Sequence, residues 1–135
     1  MPDPIVVDAS GWLAVHLQEP GWEAIEQLWV TRSLVAPELI RYETANGILM
    51  AKRRGRFAPD GMAGMLRIVA QFPLQTIARE TWWDTAIRLT REHALNFYDA
   101  SYLAVAFTLN IPLLTLDREI LKAMRDENVA QVQLS

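Results

Sequence analysis

Phe97-Tyr98-Asp99-Ala100-Ser101-Tyr102-Leu103-Ala104-Val105-Ala106, continued through Asn110-Ile111-Pro112 into Leu113-Leu114-Thr115-Leu116-Asp117-Arg118-Glu119, is the stretch that decides how this chain folds. Its first part is apolar almost all round at helical spacing, which marks a buried helix and not a surface one. Asn96 supplies an N-cap, so this helix spans about Phe97 to Leu109. Pro112 marks a turn, and Leu113-Leu114-Thr115 reads as a short buried strand. Two acids break the pattern. Asp99 sits in the first turn of the helix and Asp117 follows directly on the strand. Acids are among the residues least often buried without a partner.

Outward from this stretch, strands and helices alternate. Ile5-Val6-Val7 is a β-branched run bounded by Pro4 and Asp8, and reads as a buried strand. The spacing predicts helices over Ser10 to Leu17 and Trp22 to Thr31, separated by the breaker Glu19-Pro20-Gly21. Leu34-Val35-Ala36 is a second strand, and Pro37 opens a long helix over Glu38 to Arg54 that Gly55 stops. Phe57-Ala58-Pro59-Asp60 starts a helix reaching Gln71 despite Gly61 and Gly64. Leu74 to Ile77 is a third strand, Arg79 to His93 a helix, and a short helix follows Asp117 to about Asp126. Val129 to Leu134 is a candidate edge strand. The alternation predicts an α/β fold, with a mostly parallel sheet of four to five strands covered by helices on both faces.

The chain has 135 residues, 51% of them hydrophobic, which is the size and material of one domain over residues 1–135. It has no cysteine, so disulfides and thiolate metal sites are excluded. The start, Met1-Pro2-Asp3-Pro4, lacks a basic leader, and no run approaches the roughly 20 apolar residues of a membrane span. A soluble, cytoplasmic protein is expected. The net charge of −3 argues mildly against a general nucleic-acid coat. Neutralising four of the 16 acids at a metal would leave 12 against 13 bases, so the overall charge does not exclude such a partner.

In parallel sheets ligands gather beyond the carboxyl ends of the strands. Asp8 and Asp117 both follow strands directly, and neighbouring strands lie about 4.8 Å apart, close enough for two carboxylates to share a cation. Glu43 is the third anomaly. Helical spacing places it inside an apolar stripe of Leu39, Tyr42, Leu49 and Met50, with Asn46 beside it. Each acid has a structural explanation of its own: Asp8 and Asp117 as N-caps, Asp99 at the positive end of a helix dipole, Glu43 in a buried ion pair. Four acids without a matching set of bases is different, because gathered like charges require protonation or a cation. Ser10 and Thr115, each two residues from an acid, are placed to hold metal-bound water. An all-oxygen set suits Mg²⁺ or Mn²⁺ and not Zn²⁺, and His16 and His93 form no zinc pattern.

Four segments together resemble the PIN-domain ribonucleases, and more narrowly the VapC-type toxins of type II toxin–antitoxin pairs. They are Ile5-Val6-Val7-Asp8-Ala9-Ser10; Ala36-Pro37-Glu38-Leu39 with Glu43, Asn46 and Leu49; Tyr98-Asp99-Ala100-Ser101-Tyr102-Leu103-Ala104; and Leu113-Leu114-Thr115-Leu116-Asp117. The resemblance implies a three-layer α/β/α sandwich with Asp8, Glu43, Asp99 and Asp117 as metal-binding, catalytic acids. Ser10 and Thr115 match positions that support the metal's water shell, and Asn46 a polar position near the acids. It also implies an RNA substrate, a homodimer and a cognate antitoxin protein that blocks the groove. Hydrolysis by metal-activated water would leave 5′-phosphate and 3′-hydroxyl ends. Lys52, Arg53, Arg54 and Arg56 form the only dense basic run and are candidate RNA contacts, or else a solvated helix terminus. Other readings are a PIN nuclease of RNA processing outside toxin–antitoxin systems, and a non-catalytic interaction module. A phosphatase using Asp8 as nucleophile fits less well, because Ser10 stands where a second Asp would be required.

Overall fold

The computed structural model describes residues 3–56 and 59–134. Along the chain these form β1 (Pro4–Val7), α1 (Ala9–His16), α2 (Trp22–Thr31), β2 (Ser33–Pro37), α3 (Leu39–Arg53), α4 (Pro59–Gln71), β3 (Gln75–Ile77), α5 (Arg79–His93), α6 (Phe97–Leu109), β4 (Leu113–Leu114) and α7 (Arg118–Glu127). The predicted helices and the first four predicted strands are present, with ends displaced by a residue or two. Phe57 and Ala58, expected to open the fourth helix, lie outside the described residues.

The sheet has the order β3-β2-β1-β4 and every pairing is parallel. Val6 is opposite Val35 on β2, and Val7 is opposite Leu114 on β4. Ile5, Val6 and Val7 are all fully buried, so β1 is covered on both faces and the fold is an α/β/α sandwich. The expected edge strand Val129 to Leu134 shrinks to one parallel bridge between Leu113 and Gln131. Leu113 N–H donates to the Ala130 carbonyl and Val132 N–H to the Leu113 carbonyl, and there the pairing ends, since β4 itself is only two residues long. From β1 the sheet grows outward through β2 and β3 on one side, while β4 returns to the other. The strand order therefore reverses at the β1/β4 boundary, where α/β sheets open a crevice at their carboxyl ends.

α6 is the central helix. Ala100 to Ala106 are buried without a break, and the helix packs on β1, β2, β4 and α5. Its small residues (Ala100, Ser101, Ala104 and Ala106) let the backbone lie close to the strands. The Asn96 side chain accepts from the Asp99 N–H at 2.8 Å, so the predicted cap forms.

α3 departs from expectation. Its buried stripe is Ile40, Thr44, Ile48 and Ala51, not the Leu39–Tyr42–Asn46–Leu49–Met50 side. Tyr42 is 70% exposed and Met50 37%. The stripe alternates large and small residues, and beside it α3 packs closely on α1: a Cβ on Gly47 would lie 2.6 Å from Leu13 Cδ2. Glu43 thus sits at the flank of the core stripe and not in its middle. The helix ends as predicted, with Gly55 at φ +72° and the Arg56 N–H returning to the Ala51 carbonyl. Trp12 is fully buried, and Trp29 packs partly buried against the core. Trp12, His16, Trp29 and Phe72 pack ring against ring, the Trp29 and Phe72 centroids 4.7 Å apart.

Candidate active site

The crevice at the carboxyl ends of β1 and β4 holds the acids. Asp8 is the residue after β1. It is 2% exposed and its backbone N–H donates to the Leu114 carbonyl, so it is tied to β4 from the moment the sheet forms. Both of its carboxylate oxygens are engaged. Oδ1 accepts from Ser10 Oγ at 2.7 Å and from the Gly11 N–H at 2.9 Å, and Oδ2 accepts from Thr115 Oγ1. Burial raises the Asp8 pKa above the ordinary carboxylate value. The three hydrogen bonds pull the other way, and the nearby Asp117 charge raises it further.

Ser10 and Thr115 therefore hold the acid itself. Ser10 Oγ also accepts from the Leu116 N–H across the crevice, and Thr115 Oγ1 accepts locally from the Asp117 N–H, both at 3.0 Å. The Leu116–Ser10 and Thr115–Asp8 bonds join the start of α1 to the loop between β4 and α7. Asp117 caps α7, its Oδ1 accepting from the Glu119 and Ile120 N–H groups at 2.8 and 3.1 Å. The capping roles expected for Asp8 and Asp117 are thus real, and they also fix both carboxylates in the crevice.

Glu43 approaches from α3. Tyr102, buried on α6, donates its hydroxyl to Glu43 Oε1 at 2.5 Å. Burial raises the Glu43 pKa, the Tyr102 bond lowers it, and the Asp8 charge raises it. The Tyr102 phenol is itself pushed far above its usual range, first by burial and then by its bond to Glu43. Asp99, one turn before Tyr102, is pushed up to about 6 by burial and then by the charges of Asp117, Glu43 and Asp8.

The four acids from four elements thus act electrostatically on one another, and no Lys or Arg offsets the Asp99 shift. Such a set fits a hard divalent cation: all donors are oxygen, and the missing counter-charge is positive. The carboxylates do not close into a cage. Among the described residues, the only group bringing three His, Asp or Glu ligand atoms within 4.8 Å of one another is Glu92, His93 and Glu127. That group already has its cation. Arg88 bonds Glu127 at 2.9 Å and Glu92 at 2.7 Å, and His93 Nε2 lies 2.7 Å from Glu127, which ties α5 to α7. An open acid set suits Mg²⁺, which keeps several of its waters.

The remaining candidates lie outside these contacts. Asn46 is exposed and takes no hydrogen bond among the described residues. Lys52, Arg53, Arg54 and Arg56 gather at the far end of α3. Arg56 is paired there with Glu19 at 2.7 Å, and Arg53 rests against Met50 Sδ. The residue that sequence reasoning passed over is Tyr102. Its signal was present: a phenol three residues after Asp99, on a helix otherwise too apolar to satisfy it.

A family model described as PIN domain matches residues 5–126. Ribonuclease VapC3 of Pyrobaculum aerophilum is 32% identical over 119 residues, covering 86% of this chain and 91% of that protein. Exonuclease VapC9 of the same organism is 30% identical over 121 residues, covering 90% of this chain and 86% of that protein. Among solved structures, PAE2754 from Pyrobaculum aerophilum superimposes with a TM-score of 0.66 at 27% identity, covering 91% of this chain and 87% of that one. No helix among the described residues is long and apolar enough to cross a membrane.

Proposed function

This chain belongs to the PIN-domain family, and from that premise we propose that it is a VapC ribonuclease, the toxin of a toxin–antitoxin pair, cutting RNA with the help of Mg²⁺ or Mn²⁺. The observation that carries this reading is the mutual electrostatic action of Asp8, Glu43, Asp99 and Asp117 with no base to offset it. The relatives that carry the VapC name supply the substrate class, and one of them is named a ribonuclease. Residues 1–135 then act as one catalytic domain, in the cytoplasm, as a homodimer held in check by its antitoxin.

Asp8, Glu43, Asp99 and Asp117 would hold the cation. When bound, a divalent metal there lowers the pKa of water and stabilises charge on the phosphate oxygens. The chain's own part is preorganisation. Ser10, Gly11 and Thr115 fix Asp8, the α7 N-terminus fixes Asp117, and Tyr102 fixes Glu43, so little reorganisation remains when the phosphate arrives. Hydrolysis forms a bond from water oxygen to phosphorus and breaks the P–O3′ bond. The 3′ oxygen leaves as a hydroxyl after taking a proton, and the phosphate stays on the 5′ side of the next nucleotide. No protein nucleophile is required.

The test is cleavage of a linear and of a circular single-stranded RNA, with Mn²⁺ and with chelator. Mn²⁺-dependent opening of the circle, with 5′-phosphate ends, is the expected result. Asp99→Asn and Asp8→Asn are expected to lose at least about a hundredfold in rate. Full activity in chelator, or in either variant, sinks the metal reading. Cleavage of the linear RNA alone favours the second reading, an exonuclease, which the name of one relative supports.

A further inference from the structure

Two of the four acids present their carboxylates in a restricted way. On Asp8, Oδ1 already accepts two hydrogen bonds and Oδ2 one. A carboxylate oxygen has two lone pairs, so only one acceptor position on Oδ2 stays open. On Glu43, Oε1 is drawn to the Tyr102 hydroxyl at 2.5 Å, and that hydroxyl belongs to a side chain only 1% exposed. That bond takes one of the two lone pairs of Oε1, so Oε2 is the oxygen left with both open to a cation. A cation meeting these two groups finds one oxygen from each. Ca²⁺ takes six to eight ligands and readily uses both oxygens of a carboxylate, whereas Mg²⁺ takes six in near-ideal octahedral geometry and keeps waters.

We propose that Tyr102 is a positioning residue that holds Glu43 as a one-oxygen ligand and thereby tilts the site toward Mg²⁺ and Mn²⁺ and away from Ca²⁺. The inference rests on the reading of the four acids as a cation site. It goes further by naming what selects the cation. Tyr102 is suited to the task because α6 carries both it and Asp99, one turn apart. The same rigid helix thus sets one acid directly and a second through a hydrogen bond. Partners of this kind, which orient a ligand without touching the metal, typically matter 10- to 100-fold in affinity.

The test is calorimetric titration of the full chain with Mn²⁺ and separately with Ca²⁺, for wild type, Tyr102→Phe, Glu43→Gln and the double variant. Thermal melts by circular dichroism in chelator serve as the control for folding. Wild type is expected to prefer Mn²⁺. Tyr102→Phe is expected to weaken Mn²⁺ binding by about tenfold while Ca²⁺ binding stays or improves, so the preference narrows. In the Glu43→Gln background the loss of the hydroxyl is expected to change nothing further. A Mn²⁺/Ca²⁺ preference unchanged within about twofold in Tyr102→Phe overturns the proposal, and so does an equal effect of that change with and without Glu43. If Tyr102→Phe does not fold, Glu43→Asp withdraws the carboxylate from the phenol by one methylene, and the same narrowing is required of it. A wild-type protein that binds neither cation overturns the cation site itself, an outcome distinct from an unchanged preference.

Discussion

Asp8, Glu43 and Asp117 each have a hydrogen-bond donor on the carboxylate, while the Asp99 carboxylate accepts none among the described residues. Its pKa of about 6 reflects burial and three like charges, and nothing lowers it. A proton and a divalent cation therefore compete for the same carboxylate. Mn²⁺ affinity is expected to weaken as pH falls through about 6, with close to one proton released per ion in that range. Titrations in buffers of different ionisation enthalpy measure that proton directly. Asp99→Asn is expected to remove the proton release and at least about tenfold of the affinity. An affinity that stays flat across this range would remove Asp99 from the ligand set.

At the scale of elements, α3 shows what a helical pattern does and does not reveal. Ile48 is fully buried and Tyr42 largely exposed, although both are large and apolar enough to suggest a core face. Ile48→Ala is expected to cost about 2–5 kcal/mol, and Tyr42→Ala to stay within about 0.5 kcal/mol, in denaturant unfolding of the metal-free protein. Equal costs would restore the rejected stripe. β1 and α6 were legible because their residues agree at every level: Ile5-Val6-Val7 is a β-branched run buried on both faces, and α6 is a helix buried almost all round. α3 was not, because close packing on α1 selects Thr44, Gly47 and Ala51, whose small side chains carry little hydropathic signal. Tyr42 and Met50 outweigh them in any count while facing solvent. The acids were legible as anomalies for the same reason that α3 misled. A carboxylate at a strand end is conspicuous whichever face its helix turns. The bonds that organise them, Thr115 to Asp8 and Tyr102 to Glu43, span 107 and 59 residues and have no local pattern to announce them.

Across the whole molecule, half-buried and buried titrating groups pull stability in opposite directions. His16 is packed among Trp12 and Trp29 with Nε2 lacking a partner, and burial lowers its pKa from 6.5. The folded state therefore resists protonating it. Stability from this group is complete above 6.5 and is lost as pH falls below that value toward the lowered folded one. Asp99 has the opposite sign. Its folded pKa lies above the unfolded 3.8, so the metal-free fold is favoured at low pH and loses stability as pH rises through about 6. The two windows overlap, and in the metal-free wild type they offset one another. Asp99→Asn removes part of the opposing arm, to which Asp8 and Glu43 also contribute. Its thermal midpoint in chelator is expected to fall more steeply than that of wild type as pH drops from about 6.5 to about 4.5, because the His16 loss is then less opposed. Mn²⁺ acts on that same arm, replacing the proton as the neutralising charge. At a hundredfold excess over Kd it is expected to stabilise wild type by about 2.7 kcal/mol. That gain is expected to shrink at pH values below about 6, where protons already occupy the site, and at the same Mn²⁺ concentration to fall by about 1.3 kcal/mol or more in Asp99→Asn. Parallel melting curves for the two proteins in chelator, together with a Mn²⁺ gain independent of pH, would mean that the acids at the β1/β4 crevice do not share one charge problem.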